Sequence, residues 1–142
     1  MKLFGLLSLV FCLWPLIGCS VITEGAKGVL GVSTKILEDG RKDAFRKIFD
    51  YDLSTTYGKV KEVLKISGCY IYAKSKDKSM IAVYVSESNT TPVGIFFTAV
   101  NRDATLVEIS SPSPYAKELM TKQIIKGVMK GKSDAQEKTN SK

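Results

Sequence analysis

Cysteine is the residue type with the most evident chemistry in this 142-residue chain, and its three cysteines lie in different surroundings. An apolar run over residues 3–13 comes first, and it is too short to span a bilayer comfortably as a permanent helix. Cys12 lies inside this run after Phe11, which is too bulky for the small position that precedes a cleavage site. Cys19 instead follows a short apolar motif that ends in glycine: Leu16, Ile17, Gly18.

The motif Leu16-Ile17-Gly18-Cys19 resembles the lipobox of bacterial lipoproteins, in which a branched apolar residue, an apolar or small residue and Gly or Ala precede the cysteine. No Ala-x-Ala-like site for a general signal peptidase occurs here. The resemblance implies that residues 1–18 are a signal peptide that is removed, and that the Cys19 thiol carries a thioether-linked diacylglycerol. In many bacteria this family also receives an N-acyl chain on the new amino group. An uncleaved N-terminal membrane helix is the alternative interpretation.

Two or three long acyl chains hold a protein stably on a membrane, so we expect the membrane to be a partner through this anchor. Ser20 follows the cysteine, whereas Asp there would resemble an inner-membrane retention signal, so we expect the periplasmic face of the outer membrane. The net charge of +7 could suggest nucleic acid, but an exported protein rarely meets any. Lysines near lipid head groups, or a solvated face, explain the charge without nucleic acid.

The residues favour a protein that is not an enzyme. The chain contains no histidine, so a Ser-His-Asp triad, a histidine zinc site and a Cys-His nucleophile are excluded. After processing, Cys69 is the only free thiol, and such cysteines are mostly small core residues. Asp50 and Asp52 share one face of a predicted strand, but acids there also complement the dipole of a following helix. We therefore predict no catalytic residue, no metal and no cofactor beyond the acyl chains on Cys19.

The rest of the sequence divides into three parts. Residues 19–42 are predicted to form a membrane-proximal tether, with an amphipathic helix over 20–40. Residues 43–130 are predicted to form the folded domain. Residues 131–142 contain no large apolar side chains to bury in a core and are expected to be disordered. In the domain, alternation predicts strands over 44–52, 69–75, 79–87, 91–100 and 104–110. Helical periodicity predicts one helix capped by Ser54 or Thr55 that stops at Gly68, and a second from Ser113-Pro114 to Gly131.

This order predicts an α+β two-layer sandwich. An antiparallel sheet of about five strands, in the order β-α-β-β-β-β-α, has two helices on one face, as in the helix-grip arrangement. The third of the four consecutive strands is apolar on both faces and should be central. The segment "VEISSPS" before the final helix, after "TPVGIFFT", resembles a family of small bacterial lipoproteins of unknown function over residues 43–130. That resemblance implies no activity.

The sheet face away from the helices is the predicted interaction surface. We expect Ile71, Ala73, Ile81, Val83 and Val85 to meet the helices. The other face would then carry Tyr70, Tyr72, Tyr84 and Phe96 with Met80 and Ala82. Tyrosines on an open face suit a protein interface, so we predict a non-catalytic binding or assembly module with an envelope protein as partner. Two alternatives remain: the 20–40 helix covers this face, or the domain binds a lipid or another small apolar ligand between sheet and helix.

Overall fold

The protein is an α+β domain with one antiparallel sheet, as predicted. The computed structural model describes residues 34–75, 77 and 79–139, so the predicted signal peptide, Cys19 and most of the predicted tether lie outside the described residues. The elements in chain order are α1 (34–39), a 3-10 turn Gly40–Asp43, β1 (Phe45–Phe49), α2 (Leu53–Ile66), β2 (Tyr70–Lys74), β3 (Met80–Tyr84), β4 (Pro92–Asn101), β5 (Ala104–Ser110) and α3 (Pro114–Thr139).

The five strands lie in the order β1-β5-β4-β3-β2, and every neighbouring pair is antiparallel. The chain runs from β2 to β5 through consecutive hairpins, as its short polar connections predicted, and β1 closes the sheet by pairing with β5. β4 is central, and all its residues from Val93 to Phe97 are buried. This confirms that the strand with apolar residues on both faces is covered on both sides.

Helix α2 is fixed at both ends by local hydrogen bonds. Its N-cap is Asp52 rather than the predicted Ser54 or Thr55, because the Asp52 carboxylate accepts from Thr55 N at 3.0 Å and from Thr55 Oγ1 at 2.5 Å. Its last carbonyls accept from Gly68 N at 3.2 Å and from the following Cys69 N at 3.0 Å. Gly68 has a positive φ of 73°, the left-handed conformation that ends such a helix without a side-chain clash.

Helix α3 begins where the sequence predicted, since the Ser113 hydroxyl accepts from Ala116 N at 3.3 Å and Pro114 opens the first turn. It packs closely on α2: a Cβ added at Gly127 would lie 2.3 Å from Val63 Cγ2. The backbone stays helical to Thr139, beyond the end predicted at Gly131. Extending a helix whose first turns are already packed costs little, and the residues after Gly131 include good helix formers.

The main core lies between the sheet and the two long helices. Its fully buried members include Val60 and Leu64 of α2, Ile95 at the centre of the sheet, and Met120 and Ile124 of α3. Ile71, Ile81, Val83 and Val85 meet the helices, as predicted. Ala73 does not. A β-bulge between Ile71 and Ala73 shifts the register by one position, so Ala73 packs in a smaller cluster on the other face of the sheet.

Candidate functional site

The sheet face opposite α2 and α3, here called the far face, is partly covered by α1. Leu37 is fully buried there against Ala82 and Phe96. The absence of a side chain at Gly94 makes this approach possible, because a Cβ at that position would lie 2.9 Å from Leu37 Cβ. The described end of the predicted 20–40 helix therefore does cover part of this face, which was one of the two alternatives.

Covering by α1 leaves two separate open regions. In the strand register, Tyr84 pairs with Pro92, Ala82 with Gly94, and Met80 with Phe96. Leu37 packs on the middle of these three rows. The tyrosines consequently lie on one side of α1, and the row that contains Met80 lies on the other.

The first region is a stack of three tyrosines at the β2 edge of the sheet, here called the tyrosine patch: Tyr70, Tyr72 and Tyr84. The rings of Tyr72 and Tyr84 stack with centroids 4.3 Å apart, and those of Tyr70 and Tyr84 are nearly parallel at 6.2 Å. Tyr70 is 52% exposed, and the other two are half-buried. Alternation places Tyr70 and Tyr72 on the same side, and Tyr84 pairs with Tyr70, so three rings meet across two strands.

Phe96, the fourth residue of the predicted interaction surface, lies on the expected face but is not accessible. It is only 4% exposed, because Leu37 packs against it and the Arg41 guanidinium lies 4.6 Å from its ring centroid. The prediction is therefore wrong in its inclusion of Phe96 in an exposed surface. The cover comes from residues before the domain, which strand alternation alone does not reveal.

An ion cluster that the sequence analysis missed lies beside Phe96. The carboxylate of Glu108, almost fully buried on β5, accepts hydrogen bonds from the Arg41 guanidinium and from Arg46 Nε, the latter at 3.0 Å. Arg46 Nη2 also donates to the Arg41 carbonyl at 3.0 Å. Burial alone would raise the pKa of Glu108, but the hydrogen bonds and positive charges of the two arginines outweigh it and lower that pKa. In the alternation of β5, Glu108 lies between two residues of the main core and shares the far face with Phe96, its partner in the strand register, so nothing in the sequence indicated that this acid is buried.

The second open region is a groove of about 440 Å³ between α1, the start of β3 and the middle of β4, here called the polar groove. Glu38 and Arg41 supply its charged groups, and Ser75, Ser79 and Thr98 supply hydroxyls. Met80 and Phe96 contribute the apolar part of its lining. The Ser75 and Ser79 hydroxyls lie 2.9 Å apart and share one hydrogen bond. The groove thus contains charges of both signs beside neutral donors and acceptors.

Cys69 and Asp52, which the sequence offered as candidates for catalysis, both take part in packing or capping of the fold. Cys69 Sγ lies 3.8 Å from Met120 Sδ, and burial raises the pKa of its thiol, which favours the unreactive protonated form. Asp52 caps α2, and the hydrogen bonds from the Thr55 hydroxyl and the Thr55 backbone lower the pKa of its carboxyl. Asp52 therefore lies at the N-terminus of α2, as the helix-dipole interpretation of this acid predicted.

The described residues contain neither a metal site nor a membrane-spanning helix. Within residues 34–75, 77 and 79–139, no three His, Cys, Asp or Glu side chains come together as a metal site would require. Of the helices in this described part, none combines the length and the apolar character needed to cross a membrane. No protein-family model matches the chain, and no curated protein sequence matches it.

Proposed function

We propose that this chain is a lipid-anchored protein of the bacterial cell envelope that binds a partner protein through the tyrosine patch and catalyses no reaction. The anchor rests on the sequence Leu16-Ile17-Gly18-Cys19. The binding role rests on one observation: three tyrosine rings stack at an outer edge of the sheet, and Tyr70 exposes half of its surface.

Tyrosine suits this role for a physical reason. Its ring contributes a large apolar contact area and its hydroxyl a hydrogen bond, while few rotatable bonds have to be frozen on binding. Stacking of Tyr84 with both neighbours restrains the rings before a partner arrives, which reduces the entropy that binding would cost. The packing of α2 and α3 against the main core leaves the tyrosine patch outside the layer that stabilises the domain.

The binding role is tested by photo-crosslinking in the living cells that make the protein. A benzophenone amino acid placed at position 70 should give a discrete crosslinked product. The same amino acid at Tyr115 of α3 is the matched control, because that tyrosine is 71% exposed and belongs to the helix that packs on the opposite face of the sheet. Equal products from both positions, or none from position 70, would contradict the proposal.

Substitution of Tyr84 then separates ring packing from a general loss of structure. Tyr84→Phe keeps the stacked ring and should retain the crosslink from position 70, whereas Tyr84→Ser removes the central ring and should abolish it. Circular dichroism of both variants checks that the fold is intact. A crosslink that survives Tyr84→Ser in a folded protein would argue against the patch.

The anchor is tested separately with Cys19→Ser. The parent chain should incorporate labelled palmitate and fractionate with membranes, and the variant should do neither. Membrane fractionation that is unchanged in the variant would support the uncleaved N-terminal helix instead.

A further inference from the structure

We infer that the polar groove binds a short peptide through its free amino and carboxyl termini, with Glu38 as the partner of the ammonium group and Arg41 as the partner of the carboxylate. The volume of about 440 Å³ falls within the range of about 300–1,000 Å³ typical of small-molecule sites. The inference concerns a different surface from the tyrosine patch.

The positive side of the groove has charge and hydrogen-bonding capacity left over. Arg41 and Arg46 share the single negative charge of Glu108, so this cluster carries a net positive charge. A guanidinium has five N–H donors in a fixed fork, and the contact of Arg41 with Glu108 uses only part of this fork. The side chain of Arg41 is 41% exposed and contributes to the groove lining, where a carboxylate could pair with the remaining donors.

The negative side of the groove is the carboxylate of Glu38. Within the described part of the chain, Glu38 forms no ion pair, although it lines the same groove as Arg41. An ammonium group is the complementary ligand for such a carboxylate. Both signs of charge in one groove favour a ligand that itself carries both.

Two other ligand classes fit less well. A phosphate-rich ligand would be repelled by Glu38. A sugar ring is commonly recognised by stacking on an aromatic side chain, but Phe96 is 4% exposed and its ring faces Arg41. A peptide backbone instead uses the neutral groups that are present. The two serine hydroxyls share one hydrogen bond, and neither donates to another of the described residues, so one hydroxyl proton remains to be donated to a ligand carbonyl.

The test is an NMR titration of the full chain in detergent micelles with the dipeptide Ala-Ala, its N-acetyl derivative and its C-terminal amide. Ala-Ala should give saturable shifts of the amide signals of Ser79 and Thr98, and both derivatives should bind at least tenfold more weakly. The role of Arg41 is examined with the amide, because a substitution of Arg41 would also leave Glu108 without one of its partners.

Glu38→Gln supplies the protein side of the test. It should weaken Ala-Ala binding to the level of the N-acetyl derivative and leave binding of that derivative unchanged. Glu62→Gln, an exposed position on α2, is the matched control and should bind as the parent does. The absence of saturable shifts with Ala-Ala, shifts away from the groove, or unchanged binding by Glu38→Gln would each overturn the inference. None of these outcomes affects the crosslink expected at position 70.

Discussion

Two adjacent residues of α1 allow a direct test of how this helix covers the far face. Leu37 is fully buried against Ala82 and Phe96, whereas Ile36 is 54% exposed. The two side chains are similar in size and differ mainly in environment. Substitution of each by alanine therefore separates the contribution of burial on the sheet from changes in local helix propensity.

The expected costs follow from burial. Leu→Ala at fully buried positions costs about 2–5 kcal/mol, and the lower end applies where the surroundings can collapse. Because α1 is a short segment at the start of the domain, it can settle toward the sheet, and we expect Leu37→Ala to lower the free energy of unfolding by about 2–3 kcal/mol. Ile36→Ala should cost less than about 1 kcal/mol, since half of that side chain already contacts water.

Urea unfolding followed by far-UV circular dichroism gives both values, and the slope of the transition should stay unchanged. Limited trypsin digestion offers a local measurement. If Leu37 holds the segment down, Leu37→Ala should speed cleavage after Arg41 and Lys42 more than Ile36→Ala does. Equal costs for the two substitutions, or equal cleavage rates, would refute the conclusion that α1 is fixed on the sheet by Leu37.

Four further substitutions test the helix packing, the end of α2 and the ion cluster. Gly127→Ala should lower the free energy of unfolding in urea by about 1–3 kcal/mol, because the new Cβ would collide with Val63 of α2. Gly58→Ala, with open space around the new Cβ, should raise it by about 0.5–1 kcal/mol. The same sign for both substitutions would contradict the close contact between the two helices. Gly68→Ala should cost about 1 kcal/mol because of its φ of 73°, and no loss would mean that the helix ends differently. The pKa of Glu108 is lowered in the folded protein, so its charged form contributes stability above the unfolded pKa, and this stability is lost as the pH falls through the folded pKa. Glu108→Gln should therefore be less stable than the parent at neutral pH and approach it in acid. A stability difference that does not change with pH would exclude a contribution from the ionised carboxylate.

The parts of the fold that the sequence predicted are those encoded by local pattern. Alternation located β4 as the central strand, and Ser113 with Pro114 located the start of α3, because caps and periodicity depend on neighbours within a few residues. The cap of α2 was placed too late because Ser54 and Thr55 are also good cap residues, and only geometry shows that the carboxylate of Asp52 takes the position.

The missed features depend on contacts between distant parts of the chain. Arg41 and Glu108 are 67 positions apart, and nothing in a local pattern brings them together. The bulge at Tyr72 changes which face Ala73 occupies, although the alternation of the strand reads smoothly through it. Phe96 was placed on the correct face, but its burial depends on α1. Tertiary packing overrides exposure that is inferred from alternation alone.

The position of α1 also constrains the two proposed surfaces. Both the tyrosine patch and the polar groove flank α1, and the chain that precedes α1 leads back to Cys19. A chain extends at most about 3.6 Å per residue, so the segment between Cys19 and the start of α1 at residue 34 spans no more than about 54 Å. If Cys19 is acylated, as we propose, α1 and the surfaces beside it stay within that distance of the bilayer. The partner of the tyrosine patch should therefore be a protein that is itself attached to the membrane or reaches close to it.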